Sequence, residues 1–308
     1  MKILIIVFKA IGDVLLTTPL IRALKKHYPN CEISFLTKRA SEKILKFNPN
    51  VSEVLIREDG VQSRIAFKKF DITIDFMLSL TSGYYTLLSK AKKRLAFYRP
   101  LGFLFYNILP RHQHKGYTVY DRLQILESLA VKDDGISLDL NFNESHKKTA
   151  ADFLHKNNLL PEKDFIITLD ATSPREHRQW PMEKFAGLAD MLAEKFNAKV
   201  IFLWGGNELD YVKKTLSHSK KQHILSDKFD LLELAALIKK SRLHIGTTSA
   251  PMHIATSQNI PTFTIYGQKN GPKNWSPPGK IHGYAQGNLD TLTIKDVFEK
   301  LENHIGTL

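Results

Sequence analysis

The chain has one cysteine in 308 residues, so no internal disulfide can form, which points to a reducing compartment. Cys31 follows a Pro-Asn turn and opens a candidate strand, with no role beyond packing. Long apolar runs are also missing. None approaches the roughly 20 residues that cross a bilayer. The opening MKILIIVFKAIGD mimics a leader for six residues, but Lys9 and Asp13 interrupt it and no small-residue cleavage site follows. It reads as a first strand. No G-x-G-x-x-G follows that strand, which argues against an NAD-type site, and no G-x-x-x-x-G-K-[ST] exists for a P-loop NTPase. H-E-x-x-H, C-x-x-C and dense carboxylate clusters are absent, and His112, Gln113 and His114 make no metal site, so no metal or cofactor is expected. Acidic residues are scarce: 31 Asp and Glu stand against 44 Lys and Arg, a net charge of +13. The excess is +9 in residues 1–147, from 23 basic and 14 acidic residues, and +4 in the rest. A basic first half favours an anionic partner such as nucleic acid, anionic lipid or a phosphorylated glycan. Simple solubility is the plainer alternative.

What is present is a globular composition, 43% hydrophobic, in a chain long enough for two domains. Strand-like runs at 2–8, 32–36, 54–56 and 72–76 alternate with helical patterns at 14–27, 41–47, 82–88 and 121–130. Residues 139–143 read as a strand entering the connection, and 144–157 as a helix. A second series has strands at 165–169, 199–204, 243–245 and 261–266, with helices at 181–195, 208–216, 231–239 and 294–305. Strand–helix alternation predicts parallel α/β sheets in two similar halves. Ligands in such sheets bind at the C-terminal ends of strands. That rule selects the loops 9–13, 170–178, 205–208 and 246–249.

Residues 243–267 are the organising stretch: strand, small-residue loop, helix, strand. Pro251 suits the first helical turn and Ser249 the N-cap. A helix start opening on a small-residue loop is a seat for phosphate, or else an ordinary crossover turn. Asp13, just after Gly12, is a general base or a helix cap. In 170–178, Thr172, Ser173, Arg175 and Arg178 offer hydroxyls and guanidinium groups to a diphosphate, or form a solvated polar loop. Glu208 can accept from a ribose diol or remain a surface charge. The run Lys90–Arg94 and the segment 99–115 interleave cations with aromatics, which suits a lipid headgroup surface or forms a solvated basic face.

Together these stretches resemble the ADP-heptose:lipopolysaccharide heptosyltransferase family, glycosyltransferase family 9. The resemblance rests on KAIGDVLLTTPLIRALKKHYP near the start, WPMEKFAGLADML and VIFLWGGNE in the middle, and TSAPMHIATSQNIPTFTIYG toward the end. It implies a GT-B fold, two Rossmann-like domains facing each other across a cleft. Residues 1–150 would take the acceptor and 151–290 the nucleotide-sugar donor, with 291–308 a terminal helix packing back on the first domain. It implies inverting transfer without a metal, from ADP-heptose or a related donor to the anionic lipid A core, in the cytoplasm at the inner membrane face, with no nucleic acid bound. Asp13 would be the catalytic base. Thr172, Ser173, Arg178, Glu208, Thr247, Thr248, Ser249, Met252 and His253 would bind donor, and Lys9, Gly12, Arg94, Arg99 and Arg111 acceptor. The chain departs from the family at Thr248, where the family usually has aspartate. This leaves open a different sugar nucleotide, or a weakly active or purely binding member. A basic nucleic-acid-binding protein is the reading outside the family.

Overall fold

The computed structural model describes every residue except Pro174, Asn270 and the side chain of Glu176. Two units divide the chain, Met1–Asn141 and Phe142–Leu308. In the first unit the elements are β1 (Lys2–Ile6), α1 (Ile11–Leu15), α2 (Thr18–His27), β2 (Glu32–Thr37), α3 (Glu42–Leu45), β3 (Glu53–Ile56), α4 (Val61–Lys68), β4 (Ile72–Asp75), α5 (Leu80–Leu88), β5 (Lys93–Leu95) and α6 (Thr118–Leu123). The strands pair in parallel in the order β3-β2-β1-β4-β5. Ile3, Leu4, Ile5 and Ile6 of the central strand are wholly buried, because helices cover both faces of a parallel sheet.

In the second unit the elements are α7 (Glu144–Lys156), β6 (Ile166–Asp170), α8 (Met182–Phe196), β7 (Lys199–Phe202), α9 (Leu209–Ser217), β8 (Ile224–Leu225), α10 (Leu231–Ile238), β9 (Leu243–Gly246), α11 (Ala250–Ser257), β10 (Thr262–Gly267), α12 (Pro272–Trp275), β11 (His282–Gly287) and α13 (Ile294–Ile305). The parallel order is β11-β10-β9-β6-β7-β8. The order reverses between β6 and β9, so their C-terminal ends form the switch point where α/β sheets bind ligands.

Several expectations need correction. The single helix 14–27 is two, because Pro19 has no N–H to continue the ladder and Thr17 and Thr18 turn their hydroxyls onto the carbonyls of Asp13 and Leu15. Residues 139–143 form no strand. There Arg22 of α2 binds Asp139 and Asp134, and the Thr18 hydroxyl accepts from the Asp139 amide. The boundary lies at 141/142 and not at 150, because α7 packs on α10 with Phe153 edge-on to Phe229. The terminal helix α13 packs on α8 and β11 of the second unit, burying Val297, Phe298 and Leu301. Gly187 makes room for it: a Cβ there would lie 2.6 Å from the Ile294 side chain. Among the described residues, no helix is long and apolar enough to cross a membrane.

Candidate functional site

The second unit brings the 170–178 loop and the start of α11 together at the switch point. β6 ends in Asp170, beside Gly246 at the end of β9. The strands come so close that a Cβ on Gly246 would lie 2.9 Å from the Asp170 carbonyl, which is why glycine stands there. Ser249 is the N-cap of α11 as the sequence suggests, yet it does not cap. Its hydroxyl donates instead to Asp170 Oδ2 at 2.5 Å. The amides of the α11 start are therefore not satisfied by their own N-cap side chain, and Pro251 sits in the first turn. Thr247 is buried and donates to the Thr172 carbonyl at 2.8 Å, tying the two loops together.

The Thr172 hydroxyl is spent inside the protein, donating to Asp170 Oδ1 at 2.8 Å, and the Ser173 hydroxyl accepts from the Arg175 amide at 3.3 Å. Pro174 lies outside the described residues. Burial and the neighbouring Arg175 cation both push the Arg178 guanidinium below its usual value. An anion here would relieve that repulsion. Glu208 occupies the N-cap position of α9 without capping it and folds its carboxylate back to accept from the Gly205 amide at 3.0 Å. Thr248 is half-buried. Met252 is fully buried, its side chain part of the core on the apolar side of α11. His253 is also buried, with its ring 6.3 Å from Trp275. Behind the loop, Trp180 donates to the Leu292 carbonyl at 3.1 Å, and Lys184 binds the carbonyls of Leu289, Asp290 and Leu292.

Asp170 is the site residue that sequence reasoning passed over. It is 3% exposed, and burial lifts its carboxyl from 3.8 to about 6 despite the hydrogen bonds from Ser249 and Thr172, with Glu208 adding repulsion. The signal was an acidic residue ending an otherwise apolar strand.

In the first unit Asp13 lies in the first turn of α1. Its Oδ1 pairs with Arg122 Nη2 at 2.5 Å, and the same guanidinium grips the Asp13 carbonyl and the Thr17 hydroxyl. Arg122, from α6, is buried, with its guanidinium 5.7 Å from the Phe76 ring. The pair fixes one carboxylate oxygen, Oδ1. Arg122 is a second residue missed, since nothing local links positions 109 apart. A third is Asp75 at the end of β4, wholly buried, its carboxyl raised by burial, accepting from Tyr106 at 2.5 Å.

The expected acceptor residues separate into two groups. Lys9, Arg99 and Arg111 are exposed and Gly12 is half-buried. Arg94 is different: it sits in β5 and donates to the carbonyls of Phe105 and Ala91, so it clamps backbone. His112 and His114, which the sequence gives no third partner, have Asp121 of α6 beside them.

Comparison with known proteins completes the picture. The profile of glycosyltransferase family 9 (heptosyltransferase) matches residues 61–296, well over half of the chain. Lipopolysaccharide heptosyltransferase 3 of Escherichia coli K12 is 26% identical over 96% of this chain and 91% of its own. The family 9 glycosyl transferase of Veillonella parvula superposes with a TM-score of 0.88 at 21% identity, covering 100% of this chain and 97% of that one. E. coli heptosyltransferase WaaC with ADP gives 0.78 at 18%, covering 99% and 98%. The fold is that of the GT-B enzymes, with two Rossmann-like units. The chain belongs to glycosyltransferase family 9, the heptosyltransferases, and is a glycosyltransferase.

Proposed function

We propose that the protein transfers a heptose, or a closely related sugar, from an ADP-type donor to a lipopolysaccharide core acceptor, inverting the anomeric centre. The observation that carries this is the start of α11, whose cap side chain is turned away to Asp170 at the end of the loop that also holds Arg175 and Arg178. That is a diphosphate seat, with a guanidinium and helix amides to take the leaving charge. Relatives named for lipopolysaccharide heptose transfer and a fold neighbour holding ADP support the choice of ligand.

In the proposed step the acceptor hydroxyl attacks the anomeric carbon as the bond to the diphosphate breaks. Its electron pair leaves on the phosphate oxygen, and Asp13 Oδ2 takes the hydroxyl proton. Arg175, Arg178 and the α11 amides neutralise the departing diphosphate, so the reading calls for no metal there. Thr248 offers a hydroxyl without charge where the family resemblance implies aspartate, so the donor sugar is the point to test. Binding and turnover across a panel of sugar nucleotides are expected to rank ADP-heptose or a close ADP-sugar first. Preference for a nucleotide of another class would overturn the assignment.

For the acceptor side we read a lipid-facing surface. Leu80, Tyr84 and Leu87 lie on one face of α5 and are exposed, as are Leu101, Phe103 and Leu104. The Phe105 ring sits on Gly83, where a Cβ would come within 2.6 Å, joining the two segments. Exposed Lys90, Lys92, Lys93 and Arg99 neighbour them in sequence. Apolar anchors with basic residues suit an anionic membrane, at about 1 kcal/mol per nearby cation. Salt-sensitive co-sedimentation with phosphatidylglycerol vesicles, reduced by Leu101→Asp with Phe103→Asp, is expected. Absence of binding would end this reading.

A further inference from the structure

We propose that His112, His114 and Asp121 form a binding site for a divalent transition metal, with zinc as the best-fitting ion. The inference uses first-unit residues alone and does not rest on the donor reading. The three ligand atoms lie within 4.8 Å of one another. Asp121 Oδ2 is 2.7 Å from His114 Nδ1 and 3.5 Å from His112 Nε2. Bonds of about 2.0–2.2 Å to zinc put tetrahedral neighbours roughly 3.3 Å apart. The His112 distance already matches this, and the His114 contact has to open by about half an ångström.

The surroundings orient the ligands. Asp121 Oδ1 accepts from the Lys115 amide at 2.7 Å, which leaves Oδ2 as a monodentate ligand held from behind. Gln113, between the two histidines, is clamped both ways to Gln124, the C-cap of α6: its amide donates to Gln124 Oε1 at 3.0 Å, and Gln124 Nε2 donates to its carbonyl at 2.6 Å. Pinning the middle residue of His-Gln-His fixes where both rings start. The His112 ring stands edge-on at 5.0 Å from Phe97. Asp121 is buried, and its ion pairs among the described residues are with these two histidines, while Arg122 beside it is committed to Asp13. Two imidazoles and one carboxylate are a ligand set that zinc and its neighbours accept. Three protein ligands leave a fourth position for water or an anionic oxygen.

The plainer role for Asp121 is to brace the 112–115 turn by hydrogen bonds, and the experiment separates the two. The full-length protein is stripped with EDTA and titrated with Zn²⁺ by calorimetry and with Co²⁺ by visible absorption. One equivalent should bind, with a four-coordinate Co²⁺ spectrum, and Zn²⁺ should raise Tm. His112→Ala with His114→Ala alters exposed side chains, and its fold is checked by metal-free Tm. It should weaken Zn²⁺ at least about tenfold, the lower end for disturbing even a supporting group. His146→Ala with His155→Ala should bind as the parent does. Equal affinity in the His112/His114 variant, or no stoichiometric uptake by the parent, overturns the site.

Discussion

Asp13 and Asp170 each lie near the C-terminal end of the first strand of their unit, yet their partners differ in kind. Asp13 faces a buried guanidinium, which supplies full countercharge. Asp170 is more deeply buried and receives only hydroxyl and amide donors, with Glu208 as a like charge nearby. One carboxylate is gripped and oriented by a cation. The other has its carboxyl raised to about 6 where a diphosphate is expected. Similar strand ends thus serve opposite electrostatic ends, and the difference comes from helices far away in sequence.

The largest effect is expected at Asp13. Asp13→Asn keeps the shape and removes the base, so kcat should fall by about 10²–10⁴ while the Kd for ADP is unchanged. A folded variant with near-normal turnover would remove Asp13 from the chemistry and collapse the contrast. Next comes Arg122→Met, which strips the countercharge and three hydrogen bonds from the end of α1. Breaking a buried pair costs about 3–5 kcal/mol, readable as a lower urea midpoint. Asp13→Asn combined with Arg122→Met should lose less than the sum. Strict additivity would mean the two do not act as a pair.

The smallest effect sharpens the other side. Folded Asp170 holds its proton to about pH 6, whereas the unfolded residue releases it near 3.8. The folded state therefore binds more protons between these values, and stability falls as pH rises through that window. Above it the ionised group costs about 3 kcal/mol. Asp170→Asn should match the parent near pH 4 and exceed its Tm at pH 7.5, with a flatter slope between. Equal slopes in the two proteins would show that Asp170 is not raised.

Much of the fold was legible because buried parallel strands announce themselves as Ile-, Leu- and Val-rich runs, as in β1, β6 and β7. β5 and β11 were missed because KRL and HGYAQG carry no such run; their place comes from pairing with β4 and β10. The loops at strand ends were readable, since the topology fixes where ligands go. Their internal wiring was not. Ser249 was correctly seen as an N-cap, but whether its hydroxyl serves the helix or Asp170 depends on a strand 79 residues earlier. Arg122 and Asp121 are adjacent in sequence and serve different neighbours, one Asp13 and the other the histidines, a division set by the packing of α6. Met252, Ile254 and Ala255 were legible as the apolar side of α11, and all three are buried, because a short amphipathic helix buries one face whatever its N-terminus does.

Trp180 and Lys184 flank the start of α8 and are both anchored on main-chain oxygens of residues 289–292. The strap leading into the last helix thus doubles as a clamp on the entrance of α8. A chain cut at its base would leave the indole and the ammonium without the carbonyls that seat them.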